Sequence, residues 1–108
     1  MNALTLITAA ALGLAVASAH AEAPTGNELY AKCTSKQVDD LTSCLGYMRG
    51  VADASPEICP GDSVTAGQLR LVFIRRSESD PRFLPYGQFA AIFEALRGAF
   101  PCHAGISK

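Results

Sequence analysis

The spacing of four cysteines places the strongest constraint on how this chain can fold. Cys33, Cys44, Cys59 and Cys102 are separated by 11, 15 and 43 residues in a chain of 108. No pair has the C-x-x-C spacing of a redox dithiol or a zinc knuckle, and no C-x-x-C-H haem site is present. In an oxidising compartment an even number of cysteines favours disulfides over a four-thiolate zinc site. We therefore expect two disulfides, with no metal and no cofactor.

The N-terminus indicates such a compartment. Residues 1–21 contain no Asp, Glu, Lys or Arg, and a low-polarity run of thirteen residues extends from Leu4 to Val16. The tripeptide A-H-A, ending at Ala21, has the small-x-small form of a cleavage site, so the chain reads as a secretory signal peptide followed by a mature domain, 22–108. The alternative is an uncleaved membrane anchor, because about 20 apolar residues can span a bilayer. Cleavage would leave a periplasmic protein.

Length and charge exclude several classes of function. The mature domain has 87 residues, which permits one small domain and no second. Nine Lys and Arg residues face ten Asp and Glu residues without any basic block, which argues against a nucleic-acid surface. An apolar content of 49% argues against disorder. We expect no nucleic-acid partner, and no membrane contact after signal cleavage.

Four segments have helical periodicity, and none alternates with the period of two that strands have. The predicted helices cover about 26–36, 39 or 40 to 55, 65–80 and 85–99. Asp39 or Asp40 is the expected N-cap of the second helix, and Thr65 with Gln68 forms a capping box at the third. The sequence thus predicts an all-α, compact four-helix domain with two disulfides.

An apolar stripe marks the inward face of each predicted helix. The predicted inward-facing residues are Leu29, Tyr30 and Cys33; Leu41, Cys44, Leu45, Met48, Val51 and Ala52; Leu69, Val72, Phe73 and Ile74; and Phe89, Ile92, Phe93, Leu96 and Phe100. Arg70, Arg75 and Arg76 are expected to point outward. Gly46 and Gly50 permit close approach of another helix, either inside the domain or across a dimer axis.

The predicted helices indicate what each disulfide would join. A bond between Cys33 and Cys44 would join the end of the first helix to the second, and one between Cys59 and Cys102 would tie the C-terminus to the middle of the chain. Four cysteines allow three pairings, and the other two stay open on this reasoning. Closing loops of these lengths stabilises a fold by about 2.7 and about 4 kcal/mol. Reduction should therefore destabilise the mature protein severely.

No arrangement of residues predicts catalysis. The mature chain has one histidine, His103, and lacks the G-x-S-x-G, H-E-x-x-H and glycine-rich phosphate motifs. Asp53 lies four residues after Arg49, the spacing of an exposed helical ion pair. A small hydrolase would have to use Asp53 with Glu57, the nearest second carboxylate. We expect no catalytic residues and a protein that is not an enzyme.

The segment 75–88 (RRSESDPRFLPYGQ), between the last two helices, combines arginine with aromatic residues. Loops often carry function, and arginine and aromatic residues predominate at binding hot spots. The predicted partner-binding residues are Asp80, Arg82, Phe83, Leu84 and Tyr86. The alternative is that Phe83, Leu84 and Tyr86 hold the fourth helix against the core and leave Arg82 exposed.

Four strings in the mature chain resemble the Rap/Tai immunity-protein family. They are CLGYMRGVADA (44–54), ICP (58–60), VTAGQL (64–69) and ALRGAFPC (95–102), in the order and at the spacings that the family has. Together they extend over 59 of the 87 mature residues. Members of this family are small exported helical proteins that neutralise peptidoglycan amidase effectors delivered by type VI secretion.

The resemblance implies an all-helical, often homodimeric protein that blocks an amidase cleft in the periplasm by direct binding. It also implies that the inhibitory element is the segment between the last two helices, here 79–87. The family commonly reads H-P-E after a Tyr-Leu at the end of the third helix, whereas this chain reads RSESDPR from Arg76 to Arg82. Because only the proline is kept, the resemblance does not identify the effector.

Two other functions predict different behaviour. A small disulfide-bonded periplasmic chaperone, activated by acid, would dissociate and expose apolar surface at low pH. A hydrolase would lose its activity on substitution of Asp53. An immunity protein would instead form a saturable complex with one partner.

Overall fold

Helices account for most of residues 24–103, the part of the chain that this computed structural model describes. In chain order they are α1 (Gly26–Cys33), α2 (Val38–Ala54), α3 (Ala66–Ser79), a one-turn 3₁₀-helix (Pro81–Phe83) and α4 (Gln88–Ala99). Two isolated β-bridges, but no strand, accompany them within this range. The predicted all-α, four-helix fold is confirmed. The predicted signal peptide, 1–21, lies outside the described residues.

Local sequence sets several helix boundaries as predicted. The Gln68 backbone N–H donates to the Thr65 hydroxyl at 3.2 Å, and the Thr65 backbone N–H donates to the Gln68 side chain at 2.7 Å. These two bonds form the predicted capping box of α3. α2 ends at Ala54 and α3 at Ser79, each two residues before a proline.

The start of α2 differs from the prediction. The helix begins at Val38 with Gln37 at the N-cap position, so neither Asp39 nor Asp40 caps it. Both carboxylates lie instead in the first helical turn. There the partial positive charge of the helix N-terminus stabilises them without a cap hydrogen bond.

α1 and α4 are both shorter than their periodicity predicts, ending at Cys33 and beginning at Gln88. At the end of α1, the Thr34 N–H and hydroxyl both donate to the Tyr30 carbonyl, at 3.0 and 2.9 Å. A side chain that bonds to the backbone in this way competes with continuation of the helix. Before α4, the residues from Leu84 to Gly87 form a turn, so the helix begins only at Gln88.

One face of each helix contributes to a single core. Its fully or almost fully buried apolar residues are Leu29, Cys33, Cys44, Met48, Val51, Ala52, Ile58, Leu69, Phe73, Phe83, Leu84, Ala91, Ile92, Ala95 and Leu96. Tyr30, Val64, Val72, Ile74, Phe93 and Phe100 are partly buried and pack against this set. The stripes predicted for α1, α2 and α3 therefore face inward, with their edges half-buried.

The inward face of α4 differs from its predicted stripe. Ala91 and Ala95 are buried, whereas Phe89 is 59% exposed, so the predicted core position of Phe89 is wrong. Alanine has too small a side chain to contribute much to an apolar pattern. It nevertheless allows another helix to approach closely, as α1 approaches Ala91. The face of α4 that contains Ala91 and Ala95 therefore packs inward, and Phe89 lies outside the core.

Among the glycines of residues 24–103, Gly26 is the one at which another element approaches closely, and the sequence pattern did not indicate it. A Cβ added at Gly26 would lie 2.7 Å from the Ala91 Cβ and 2.8 Å from the Leu84 carbonyl oxygen. At Gly46 and Gly50, by contrast, an added Cβ would meet no atom within 4 Å. The alternative that these two glycines serve close approach inside the domain is therefore wrong.

One of the three arginines predicted to point outward turns inward. Arg70 is half-buried, and its Nε donates to the Cys33 carbonyl at 2.7 Å, at the C-terminus of α1. The partial negative charge of a helix C-terminus favours a cation at this position. Arg75 and Arg76 are exposed, as predicted.

The disulfides are Cys33–Cys44 and Cys59–Cys102, with Cα atoms 5.2 and 5.0 Å apart. They join the elements that the predicted helices indicated. Cys33 and Cys44 are fully buried in the core, whereas Cys59 and Cys102 are half-buried at its edge. Beside the second disulfide, the Cys59 N–H donates to the Phe100 carbonyl at 2.8 Å. This bond helps to hold the segment after α4 against the segment after α2.

Candidate partner-binding site

The turn between α3 and α4 covers residues 80–87, and we call it the α3–α4 turn. Pro81 cannot continue α3, because its ring removes an N–H and restricts the preceding residue, but it suits the first position of a new helix. The Arg82 N–H donates to the Asp80 carboxylate at 3.4 Å, and the Leu84 N–H donates to the Pro81 carbonyl at 3.1 Å. The result is the 3₁₀-helix Pro81–Phe83.

Two apolar side chains anchor the α3–α4 turn in the core. Phe83 and Leu84 are each 7% exposed, and the Phe83 ring packs edge-to-face against Phe73 with centroids 6.4 Å apart. Burying side chains of this size contributes about 1.5–3 kcal/mol each. Of the two roles that the sequence left open, anchoring therefore describes Phe83 and Leu84. Little of either side chain is therefore accessible at the surface.

Backbone hydrogen bonds tie the same turn to the residues around the start of α1. The Gly26 N–H donates to the Tyr86 carbonyl at 2.8 Å, and the Gln88 N–H donates to the Pro24 carbonyl at 2.9 Å. The bonded residues lie far apart in sequence but belong to adjacent elements. The turn is thus held by side chains on one side and by backbone bonds on the other.

Arg82 carries the most exposed charge of the turn, in a defined position. Its side chain is 88% exposed. Its Nε and Nη2 donate to the two carboxylate oxygens of Asp80, at 2.8 and 3.1 Å. This hydrogen bonding lowers the pKa of the Asp80 carboxyl below its ordinary value and raises the pKa of the Arg82 guanidinium. Both groups therefore stay charged at neutral pH, and the bidentate geometry fixes the guanidinium plane.

Tyr86 is 57% exposed and, together with Arg82, lines an open cavity of about 560 Å³ beside the turn. The other lining residues are Arg76, Asp80, Phe83, Ala90 and Glu94. Arginine and tyrosine predominate at binding hot spots, so this cavity suits a protruding side chain of a partner protein. The sequence indicated the turn residues, and Arg76 as an outward arginine. Glu94 had no such signal, because only the packing of α4 beside α3 brings it to the cavity.

Residues considered for catalysis have structural or solvent-exposed positions. An Arg49 Nη1 atom lies 3.6 Å from Asp53 Oδ1, which is the predicted i,i+4 ion pair. Arg49 also donates from Nη2 to the Val64 carbonyl at 2.8 Å. Glu57 and His103 are exposed.

Metal-binding clusters and membrane-spanning helices are both absent from residues 24–103. No group of three or more His, Cys, Asp or Glu side chains in this range could hold a metal ion. None of the helices there combines the length and the apolar character needed to cross a membrane.

Comparison with protein-family models identifies a family. The model described as Rap1a immunity proteins matches residues 25–102, which include all four helices and both disulfides. No match to the chain was found among curated proteins or among solved structures. Immunity proteins bind an effector and do not catalyse a reaction, in agreement with the prediction that the protein is not an enzyme. The chain belongs to the Rap1a immunity protein family and is an immunity protein against a secreted effector, not an enzyme.

Proposed function

We propose that this protein is a periplasmic immunity protein that binds and blocks a peptidoglycan amidase effector of a type VI secretion system. Asp80, Arg82 and Tyr86 of the α3–α4 turn make the contact; Arg82 and Tyr86 are exposed, and Asp80 is half-buried. The observation that carries the proposal is an anchored turn with an exposed, charge-fixed arginine at its tip. Family membership supports an immunity role, and the resemblance of the sequence to Rap/Tai proteins supports an amidase as the target.

The way in which the turn is held favours tight binding. Binding costs about 0.5–1.5 kcal/mol for each flexible side chain that becomes ordered. Asp80 already holds the Arg82 guanidinium through two hydrogen bonds. Much of the side-chain entropy of Arg82 is therefore lost on folding, and less remains to be lost on binding. The buried side chains of Phe83 and Leu84 likewise order the backbone of the turn before binding. The turn would enter the amidase cleft with little loss of entropy.

The compartment follows from the same proposal. An amidase that cleaves peptidoglycan acts in the periplasm, so its inhibitor has to be present there. Disulfides form and persist in the periplasm, and this fold contains two. The predicted signal peptide, 1–21, would direct the chain to that compartment.

The test uses the oxidised mature protein, 22–108, and purified type VI amidase effectors, beginning with one encoded beside it. We expect a stoichiometric complex that blocks peptidoglycan cleavage. Arg82→Ala or Tyr86→Ala should weaken binding at least tenfold, since hot-spot residues contribute about 2 kcal/mol or more. Lys36→Ala is the matched control, because Lys36 is an exposed cation between α1 and α2 that does not line the cavity beside the turn.

Each outcome of this test has a definite meaning. A complex that Arg82→Ala and Tyr86→Ala leave unchanged would contradict the contact through the turn. No complex with any amidase would contradict the proposed target. Assays of acid-induced dissociation and of protection of unfolded proteins would then test the chaperone alternative.

We also propose that the protein forms a homodimer through the outer face of α2. Gly46 and Gly50 lie on this face with open space above them, and Tyr47 is exposed beside them. A second helix could therefore approach the α2 backbone closely. In sedimentation equilibrium, the wild type should associate with increasing concentration, and Gly46→Arg should stay monomeric. A wild-type protein that is monomeric at high concentration would contradict the dimer.

A further inference from the structure

A groove extends from the α3–α4 turn along the outer surface between α3 and α4. It consists of two cavities of about 350 Å³ each, which share Val72 and Arg75. The cavity nearer the turn also shares Arg76 with the cavity that Arg82 and Tyr86 line. The three cavities therefore adjoin each other in one line. We call the two beyond the turn the α3–α4 groove.

The lining of the α3–α4 groove is mainly apolar. Leu71 is 45% exposed there, and Val64, Val72 and Phe100 are half-buried around it. On the α4 side the lining residues are small: Ala95, Gly98 and Ala99. Because these residues have little or no side chain, space remains between the two helices that a segment of another protein could fill.

The second feature of the α3–α4 groove is its charge. Its charged lining residues are Arg75 and Arg76, and no carboxylate lines it. Among the described residues, neither arginine forms an ion pair, whereas Arg49, Arg82 and Arg97 each do. The groove is therefore positively charged in a chain whose net charge is −1.

Glu78, a carboxylate on the same helix as Arg75 and Arg76, has another contact. It accepts a hydrogen bond from the Tyr30 hydroxyl at 2.6 Å. That bond draws the carboxylate toward α1, and Arg75 has no ion-pair partner in the described part of the chain.

We propose that the α3–α4 groove receives an acidic, partly apolar surface segment of the same effector that the turn contacts. This inference rests on the proposed function. The Leu71 and Phe100 side chains would contact apolar residues of that segment, and Arg75 would pair with a carboxylate on it. Size supports this extension, because stable interfaces bury about 800 Å² on each partner. The exposed side chains of Arg82 and Tyr86, with the half-buried Asp80, provide much less surface than that.

The test compares two groove variants with the wild type in binding to the purified amidase effector with which the wild type forms a complex. Leu71→Asp places a charge in the apolar part of the groove, and Arg75→Glu reverses its charge. We expect each to weaken binding at least tenfold, and Arg75→Glu to reduce the dependence of the association rate on salt. Val38→Asp, on an exposed residue of α2, and Lys36→Glu, on an exposed residue that lines none of the three cavities, are the matched controls, with less than a twofold effect.

Circular dichroism and thermal melting of each variant separate loss of binding from loss of folding. If Arg82→Ala weakens the complex but Leu71→Asp and Arg75→Glu leave it within twofold of the wild type, the groove proposal is overturned and the proposed function stands. If no amidase binds the wild type, both are overturned. If the groove variants abolish self-association of the free protein in sedimentation, the groove is an interface between copies, and the proposal is again overturned.

Discussion

The two inter-helix turns that precede α2 and α4 are held in different ways. The α1–α2 connection, residues 34–37, lies beside the Cys33–Cys44 disulfide, whose two residues are fully buried. The α3–α4 turn contains no cysteine and relies on the buried side chains of Phe83 and Leu84 and on backbone bonds to the start of α1. The disulfide holds the α1–α2 connection through two cysteines that lie outside it, so no side chain of residues 34–37 has to act as an anchor.

Anchoring by side chains has a different consequence, because buried and exposed residues then share one short segment. In the α3–α4 turn, Phe83 and Leu84 point into the core, while Arg82 and Tyr86 remain exposed. The geometry of the exposed side chains therefore depends on packing beneath them. Substitutions that affect each kind of restraint separately can test this difference, as follows.

The largest effect should come from Phe83→Ala. Removing a buried phenylalanine costs about 3–5 kcal/mol of unfolding free energy, and it also removes the edge-to-face contact with Phe73. Phe89→Ala makes the same chemical change on α4 at a residue that is mostly exposed, and should change stability by less than about 0.5 kcal/mol. Urea unfolding monitored by circular dichroism measures both. Equal effects would show that the turn is not anchored through Phe83.

Next in size is the loss of the Cys33–Cys44 disulfide in the double variant Cys33→Ala/Cys44→Ala. The loop that it closes spans 11 residues in sequence, and loops of this length are worth about 3 kcal/mol. Urea unfolding measures the loss, which should appear without a change in effector affinity, since the α3–α4 turn keeps its own anchors. Phe83→Ala, in contrast, should lower stability and affinity together. A disulfide variant that folds but binds tenfold more weakly would contradict the independence of the two turns.

Gly26→Ala tests the contact between α1 and the α3–α4 turn, with a smaller effect. An added methyl group would lie against Ala91 and against the backbone of Leu84. Overpacking of this kind costs about 1–3 kcal/mol. Gly98→Ala, inside α4, is the matched control, because an added Cβ there meets no atom within 4 Å, and it should stabilise α4 by up to about 1 kcal/mol. Opposite signs in thermal melting are the expected result, and a stabilised Gly26→Ala variant would contradict the close contact.

Most of the fold can be predicted from the sequence, because the relevant signals are local. Prolines, the Thr65–Gln68 capping box and three apolar stripes identify the helices. The positions of the cysteines relative to those helices indicate the two disulfides. The predicted N-caps of α2 failed because aspartate is also favoured in the first turn of a helix.

The parts that sequence could not predict depend on contacts between distant residues. Phe89 fits an apolar stripe as well as Ile92 does, and only the close packing of α1 against Ala91 places Phe89 outside the core. The same holds for the turn, where Phe83 and Leu84 could equally have been exposed. Their burial depends on Phe73 and on the start of α1, which the local pattern does not include.

The smallest expected effect concerns the ion pair between Asp80 and Arg82, which fixes the Arg82 guanidinium at the tip of the α3–α4 turn. The hydrogen bonds from Arg82 lower the pKa of Asp80 from its ordinary value of 3.8. A lowered pKa in the folded state means that the ion pair stabilises the fold fully above pH 3.8 and is lost as the pH falls through the lower, folded value. Carbon-13 NMR of the Asp80 carboxyl should therefore give a midpoint below 3.8. Arg82→Ala should raise that midpoint toward the ordinary value, and Arg97→Ala should leave it unchanged. A wild-type midpoint at or above 3.8 would show that Asp80 does not hold Arg82 in solution, and the tip would then lack the fixed geometry that distinguishes it from the disulfide-linked turn.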